Sequence, residues 1–415
     1  MTQCLPTPTL SCVLFLAALG CSCESASGVT RSVDASSQPI RAAVHSNASI
    51  ASKLNGALGG QPGNLFYSPL SIEAVTGMLL AGAAGDTASQ LAELLDASDD
   101  PAALHKGLGA LLADLSQTHS QYTLSVANRL WAAPGLDSSR KFVDITRDDY
   151  NSPTETVRFS EDPEAARSEI NHWVSDQTAG KIDELLRPGQ IDASTVMAIV
   201  NAIYFKADWA KAFDASLTRS GSFRRADGTE VSVELMSTPK TKLRTAMTRD
   251  RVWRYWLELP YRTGEVSFLA YSSQGDQPVN VQALQAEVDA ADLEKVVQSL
   301  EEDELVVQMP RFSLRSRIDL VPIFEQLGVT DLFDGSRANL SGIDARGGLY
   351  VGPFVHEATV RVDEHGTVAA AATAAALARS APRTIIFDSP FVFLIRDNRT
   401  GAVLFTGRVA DPTSD

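Results

Sequence analysis

The chain has no cysteine beyond residue 23; its four are Cys4, Cys12, Cys21 and Cys23. A disulfide framework across a folded domain is therefore excluded, and so are a cysteine–zinc site and a cysteine nucleophile within it. A run of basic residues is also missing. Lys and Arg number 36 against 51 Asp and Glu in 415 residues, for a formal net charge of −15. A surface this acidic repels polyanions, so neither nucleic acid nor a heparin-type polyanion is expected as a partner. The marks of an enzyme are absent too. The six histidines form no His-Glu-x-x-His pair, and there is no Gly-x-Ser-x-Gly elbow, phosphate-cradling Gly loop or dinucleotide fingerprint. His356-Glu357 and Glu364-His365 flank a segment that alternates as a strand. Extended, it would hold the two histidines roughly 30 Å apart, too far to share a metal. No catalytic residue, metal or cofactor is expected.

What is present describes a folded protein. Hydrophobic residues make up 44% and charged residues 21% of the chain, ordinary values for a globular domain. Residues 10–20 (LSCVLFLAALG) are apolar but too few to span a bilayer. With the Ala-Leu-Gly-Cys sequence at 18–21, they read as an export signal over 1–21, with Cys21 as the candidate lipid-anchored residue. The missing Lys or Arg before Leu10 is wrong for such a signal. Residues 22–39 read as a flexible polar linker and 40–412 as a single domain. An extracellular or cell-envelope location follows from the same segment.

Helices dominate the first half. Thr87 and Gln90 have the spacing of a capping box, and Asp162-Pro163 marks a helix start with Gly180 as its stop. Strands dominate later. Residues 196–205 (VMAIVNAIYF) are almost unbroken apolar, as in a strand buried on both faces, with Asn201 the strongly polar exception. Residues 305–309, 358–362, 385–395 and 402–409 also read as strands. The acidic run 301–304 reads as a solvated loop face. The pattern predicts an α+β fold around a large sheet.

Residues 367–378 (TVAAAATAAALA) fit none of these classes. Alanine favours a helix, yet no amphipathic stripe exists to pack one. Read with period two, both faces are small and uncharged until Leu377. Composition alone suggests a linker, but two strands of the same domain follow, so the segment is a loop inside a fold that could enter a narrow slot.

Residues 356–373 (HEATVRVDEHGTVAAAAT) resemble the hinge of the serpins, the serine-protease inhibitor family. The resemblance continues in order through 64–71 (NLFYSPLS), 82–87 (GAAGDT), 126–131 (VANRLW), 171–182 (NHWVSDQTAGKI) and 201–209 (NAIYFKADW). It goes on through 259–261 (LPY), 309–312 (MPRF), 327–343 (LGVTDLFDGSRANLSGI), 388–393 (DSPFVF) and 407–409 (GRV). Many motifs in one order are specific where any single one would be weak. The chain is identified as a serpin, of a bacterial exported type.

The resemblance implies a large central β-sheet, two further sheets, eight to nine helices and an exposed reactive-centre loop. It implies a monomer whose partner is a target serine protease, held as a covalent acyl complex after the loop is cut and inserts into the central sheet. Carried over residue by residue, the hinge is Glu364, Gly366, Thr367, Ala369, Ala370, Ala371, Ala372 and Thr373. Ser68, Ser71, Asn201 and His356 fall on the family's sheet-opening region. Small residues on the inserting face suit insertion, because bulk or charge there costs strain or desolvation. Val368 and His365 depart from the family's inhibitors. Family loop lengths give either Arg379 or Ser380 as the bait. Arg379 suits a trypsin-like pocket, which favours cleavage between Arg379 and Ser380; Leu377-Ala378 is the alternative for enzymes with apolar pockets. A non-inhibitory serpin acting as a binding or chaperone protein is the competing reading.

Overall fold

A computed structural model describes residues 33–116, 122–249, 252–275, 278–289, 291–366 and 383–414. Its helices are α1 (Gln38–Leu58), α2 (Pro69–Gly82), α3 (Gly85–Leu94), α4 (Pro101–Leu115), α5 (Arg140–Asp148), α6 (Pro163–Gln177), α7 (Val281–Asp289), α8 (Leu293–Ser299) and α9 (Val321–Gln326). The strands are β1 (Leu65–Tyr67), β2 (Tyr122–Ala132), β3 (Glu155–Thr156), β4 (Met197–Ala207), β5 (Arg219–Arg224), β6 (Glu230–Ser237), β7 (Thr241–Arg249) and β8 (Trp253–Pro260). They continue with β9 (Val266–Gln274), β10 (Glu301–Pro310), β11 (Phe312–Asp319), β12 (Phe354–Val362), β13 (Arg383–Ile386), β14 (Phe391–Asp397) and β15 (Val403–Val409).

Three helices begin with one device, a polar cap followed by proline. Ser68, Asp100 and Asp162 accept from the backbone N–H of Ser71, Ala103 and Ala165, and Pro69, Pro101 and Pro163 need no N–H of their own there. The capping box expected at Thr87 does not form. Helix α3 already begins at Gly85, and the two side chains reach across the fold instead. Thr87 Oγ1 accepts from the Asn339 N–H, while Gln90 Oε1 accepts from Thr330 and Asp331.

The central sheet runs β11-β12-β4-β2-β3. Its strands alternate between two cores, as the period of two requires. From β4, Ile199, Ile203 and Phe205 join the core that includes α1 and α2, while Ala198, Val200 and Ala202 join Ile170 and Val174 of α6. This double coverage is why β4 reads as continuous apolar sequence. The remaining strands form one hydrogen-bonded path, β1-β15-β14-β9-β8-β7-β10-β6-β5, with β13 on β10. The two further sheets are thus joined through β10, whose start pairs with β7 and whose end pairs with β6. The acidic run 301–304 is the start of β10, not a loop. It is tolerated because it is largely exposed and its partner strand is basic: Glu304 faces Lys242 and Glu302 faces Arg244 in register. The stretch 385–395 is interrupted at 387–390, so it forms the end of β13 and most of β14.

Candidate functional site

Three neighbouring strands each place one polar residue in the same row. Register sets His356 on β12 beside Asn201 on β4, and Asn201 opposite Asn128 on β2. The first turn of α2 closes this row. His356 Nε2 accepts from the Ser68 N–H at 3.1 Å, so the ring proton lies on Nδ1 and is donated to Asn201 Oδ1. Asn201 Nδ2 lies 2.8 Å from the Ser71 carbonyl oxygen, 2.9 Å from Ser71 Oγ and 2.7 Å from Asn128 Oδ1. Ser71 Oγ donates to Asn128 Oδ1 at 3.0 Å, and Asn128 Nδ2 donates back to the Ser71 carbonyl at 3.2 Å. Ser68 Oγ donates to the Leu404 carbonyl of β15 at 2.6 Å. Ser68, Ser71, Asn201 and His356 are all wholly buried. Burial pushes the His356 imidazole down to about 3, so it is neutral at ordinary pH.

The row crosses a junction with an unusual direction. β12 and β4 are parallel neighbours, paired from Phe354↔Ile199 to Thr359↔Tyr204, whereas β11–β12 and β2–β4 are antiparallel. A strand running the opposite way and lying between β12 and β4 would be antiparallel to both.

Beyond β12 the chain turns back. Asp363 and Gly366 exchange backbone hydrogen bonds at 3.1 and 3.3 Å. Gly366 has φ +137°, and a Cβ there would lie 2.3 Å from the Ala207 carbonyl oxygen at the end of β4. Only glycine fits both demands. Trp209 fastens the turn, its backbone N–H donating to His365 O and its Nε1 to Asp363 O, each at 3.0 Å. The buried Glu364 carboxylate takes Arg311 Nε at 2.8 and 2.9 Å and Thr218 Oγ1 at 2.5 Å. Burial alone would raise its pKa; Arg311 and Thr218 outweigh that and hold it below the usual range.

The structure thus brings Ser68, Ser71, Asn201 and His356 into one network and puts Glu364 and Gly366 at the turn after β12. Thr367, Ala369, Ala370, Ala371, Ala372, Thr373, Arg379, Ser380 and Cys21 lie outside the described residues. His356 and Glu357 sit on opposite faces of β12; Glu357 is ion-paired with Arg315 and Arg317. Sequence reasoning missed Asn128, Trp209, Thr218 and Arg311 as site residues. Asn128 had a signal, a polar residue in a strand pattern as Asn201 is; the other three are recognisable only once the turn has folded onto them.

A family model described as Serpin (serine protease inhibitor) matches residues 45–412. This chain is a serpin. It is 35% identical to human Serpin B12 over 384 residues, 84% of this chain and 94% of the relative. It is 36% identical to the leukocyte elastase inhibitor of Bos taurus over 357 residues, 84% and 93% of the two chains. A solved structure, native protease nexin-1 with heparin, superposes with TM-score 0.80 at 30% identity, covering 91% of this serpin and all of that chain. The family's business is protease inhibition rather than catalysis, and the fold described above is the serpin fold.

Proposed function

We propose that this serpin is a suicide-substrate inhibitor of serine proteases. A trypsin-like enzyme cuts between Arg379 and Ser380, and residues 367–378 then enter the sheet between β12 and β4 while the acyl-enzyme persists. The observation that carries this reading is the parallel direction of β12 and β4. A segment that follows Gly366 and folds back necessarily runs against β12, and therefore against β4. Insertion replaces one parallel ladder by two antiparallel ones, which are the more stable kind per residue. The row that closes the seam consists of side-chain hydrogen bonds, each worth about 1 kcal/mol net, so parting the strands is affordable against a full strand gained. The sequence 367–376 is small and uncharged throughout, as a tight slot demands.

Arg379 supports the trypsin-like choice, being the charged residue in the stretch 365–382 that an acidic pocket would take. The heparin of the nexin-1 structure is not carried over, because a net charge of −15 opposes a polyanion. Residues 1–21 support export, with Cys21 as the anchor; mass spectrometry of the mature N-terminus decides this.

Mixing the protein with trypsin-, elastase- and subtilisin-like proteases tests the main reading. SDS-stable complexes with the trypsin-like enzyme are expected, with a released peptide beginning at Ser380 and inhibition abolished by Arg379→Ala. A peptide beginning at Ala381 or Ala378, with Arg379→Ala still inhibitory, overturns the bait assignment. Cleavage without any stable complex overturns inhibition.

A further inference from the structure

Helix α2 is buried along almost its whole length, and it carries a carboxyl group into that burial. Glu73 is wholly buried. Among the described residues neither of its oxygens, nor Ser46 Oγ and Asn47 Nδ2 on α1, makes a hydrogen bond of good geometry. The Ser46 and Asn47 side chains act on the carboxyl in favour of its charged form, but burial outweighs them. No cation among the described residues acts on the group. On the side of α4 and just past α5 are His105 and Tyr150, bonded to each other at 2.9 Å; the Tyr150 hydroxyl lies near enough for a charge on Glu73 to act on it and fits over Gly77 of α2. A buried carboxylate with no cation beside it is far costlier than a carboxylic acid.

The same helix is the lid of the seam. Its cap and first turn bond to β12 through His356, to β4 through Asn201, to β2 through Asn128 and to β15 through Leu404. Glu73 lies two residues beyond Ser71. Any shift of α2 that lets water reach Glu73 must strain the bonds holding β12 against β4.

We propose that Glu73 is a proton-held latch on the closed sheet: it keeps its proton while α2 is seated over the seam, and opening the seam releases that proton to solvent. This rests on the reading that a strand enters between β12 and β4. Burial raises the Glu73 carboxyl from 4.5 to about 8 in the closed state. The closed state therefore binds more protons than any open state in which Glu73 is hydrated, over the interval between those values. Opening becomes easier as pH rises through that interval and levels off above about pH 8. His356 and His105, pushed down to about 3 and about 4 by burial, act in the opposite direction, but only below the ordinary histidine range near 6.5. Between pH 6.5 and 8, Glu73 acts without them.

The test is annealing of a labelled synthetic peptide, TVAAAATAAALA, into the intact protein, with no protease present. For the wild type the rate should rise by up to about tenfold per pH unit, roughly 15-fold from pH 6.5 to 8 and roughly 30-fold in all once it flattens above about pH 9. Glu73→Gln, which cannot lose a proton, should be flat over the same window. Equal pH dependence in both proteins overturns the latch; failure of the peptide to anneal at any pH in either overturns the insertion reading on which it rests. If Glu73→Gln does not fold, the infrared spectrum of the wild type decides. A buried protonated-carboxyl band at pH 7 that disappears by pH 9.5 supports the latch, and its absence at pH 7 overturns it.

Discussion

His356 and Asn201 meet across the parallel junction of β12 and β4, the imidazole Nδ1–H donating to the amide oxygen, with both residues wholly buried. The imidazole gives one proton and accepts another from Ser68, so it uses both nitrogens only when neutral.

Acid should therefore loosen this sheet. A histidine whose pKa is about 3 in the folded state and near 6.5 when unfolded leaves the unfolded chain with more bound protons between those values. Stability falls as pH drops below 6.5, by at most about 1.4 kcal/mol per unit from this residue. His356→Gln keeps an acceptor for Ser68 but cannot span both partners, so it should cost about 1–3 kcal/mol at pH 7 and flatten the acid slope. Urea unfolding at pH 7, 6 and 5 measures both. An unchanged slope would assign the acid sensitivity to His105 or to carboxylates.

The turn after β12 depends on a buried carboxylate whose partner is half-exposed: the Arg311 side chain is 45% exposed and that of Glu364 4%. Arg311→Ala leaves Glu364 buried with Thr218 alone. Because water can reach the vacated side, the expected loss is about 1–3 kcal/mol, below the cost of stranding a fully enclosed charge. Glu364 is held below its unfolded pKa, so its contribution is present above pH 4.5 and fades as pH falls through the folded value. The gap between wild type and Arg311→Ala should narrow in acid; denaturation curves at pH 7 and pH 4 check this.

Gly366→Ala asks for a Cβ 2.3 Å from a carbonyl oxygen at φ +137°. The turn must move, at about 1–3 kcal/mol for the strained backbone alone. Because the turn is fixed by Trp209, the change should appear in tryptophan fluorescence as well as in the melting temperature. A normal melting temperature with unchanged fluorescence would mean that the turn is not rigid.

How much of this was legible beforehand varies with what holds each residue. Asn201 stands out in the sequence because a lone amide in an apolar strand must find partners. Its row-mate Asn128 is masked by Arg129 and Ser125 in a strand that alternates less cleanly. Glu364 and Gly366 were found through resemblance, but Arg311, Thr218 and Trp209 come from three distant segments that only the folded turn assembles. Thr87 and Gln90 misled for the opposite reason: a local capping pattern was used for contacts with residues 330–339. The acidic start of β10 misled because a charged strand is acceptable where its neighbour carries the opposite charge, and the neighbour is some 60 residues away in the chain.

The inserting face gives the last test. Residue 367 is the first after Gly366, so under the proposed mechanism its side chain enters the seam before the protease has been carried any distance. Thr367→Arg would bring an unpaired charge into the sheet beside the buried Val362 at the end of β12, at several kcal/mol. Insertion should slow, deacylation should win, and the variant should be turned over by a trypsin-like protease as an ordinary substrate. Under this mechanism the charge enters the sheet only on insertion, so the intact variant should melt within about 1 °C of the wild type, the shift expected of a change worth only a few tenths of a kcal/mol. The wild type cut in its loop should melt well above the uncut protein, because a strand has been added to the central sheet. Thr367→Arg, cut in the same place, should show little of that gain. Stable complexes at wild-type stoichiometry from Thr367→Arg, or a full gain in melting temperature on its cleavage, would mean that residue 367 does not face into the sheet.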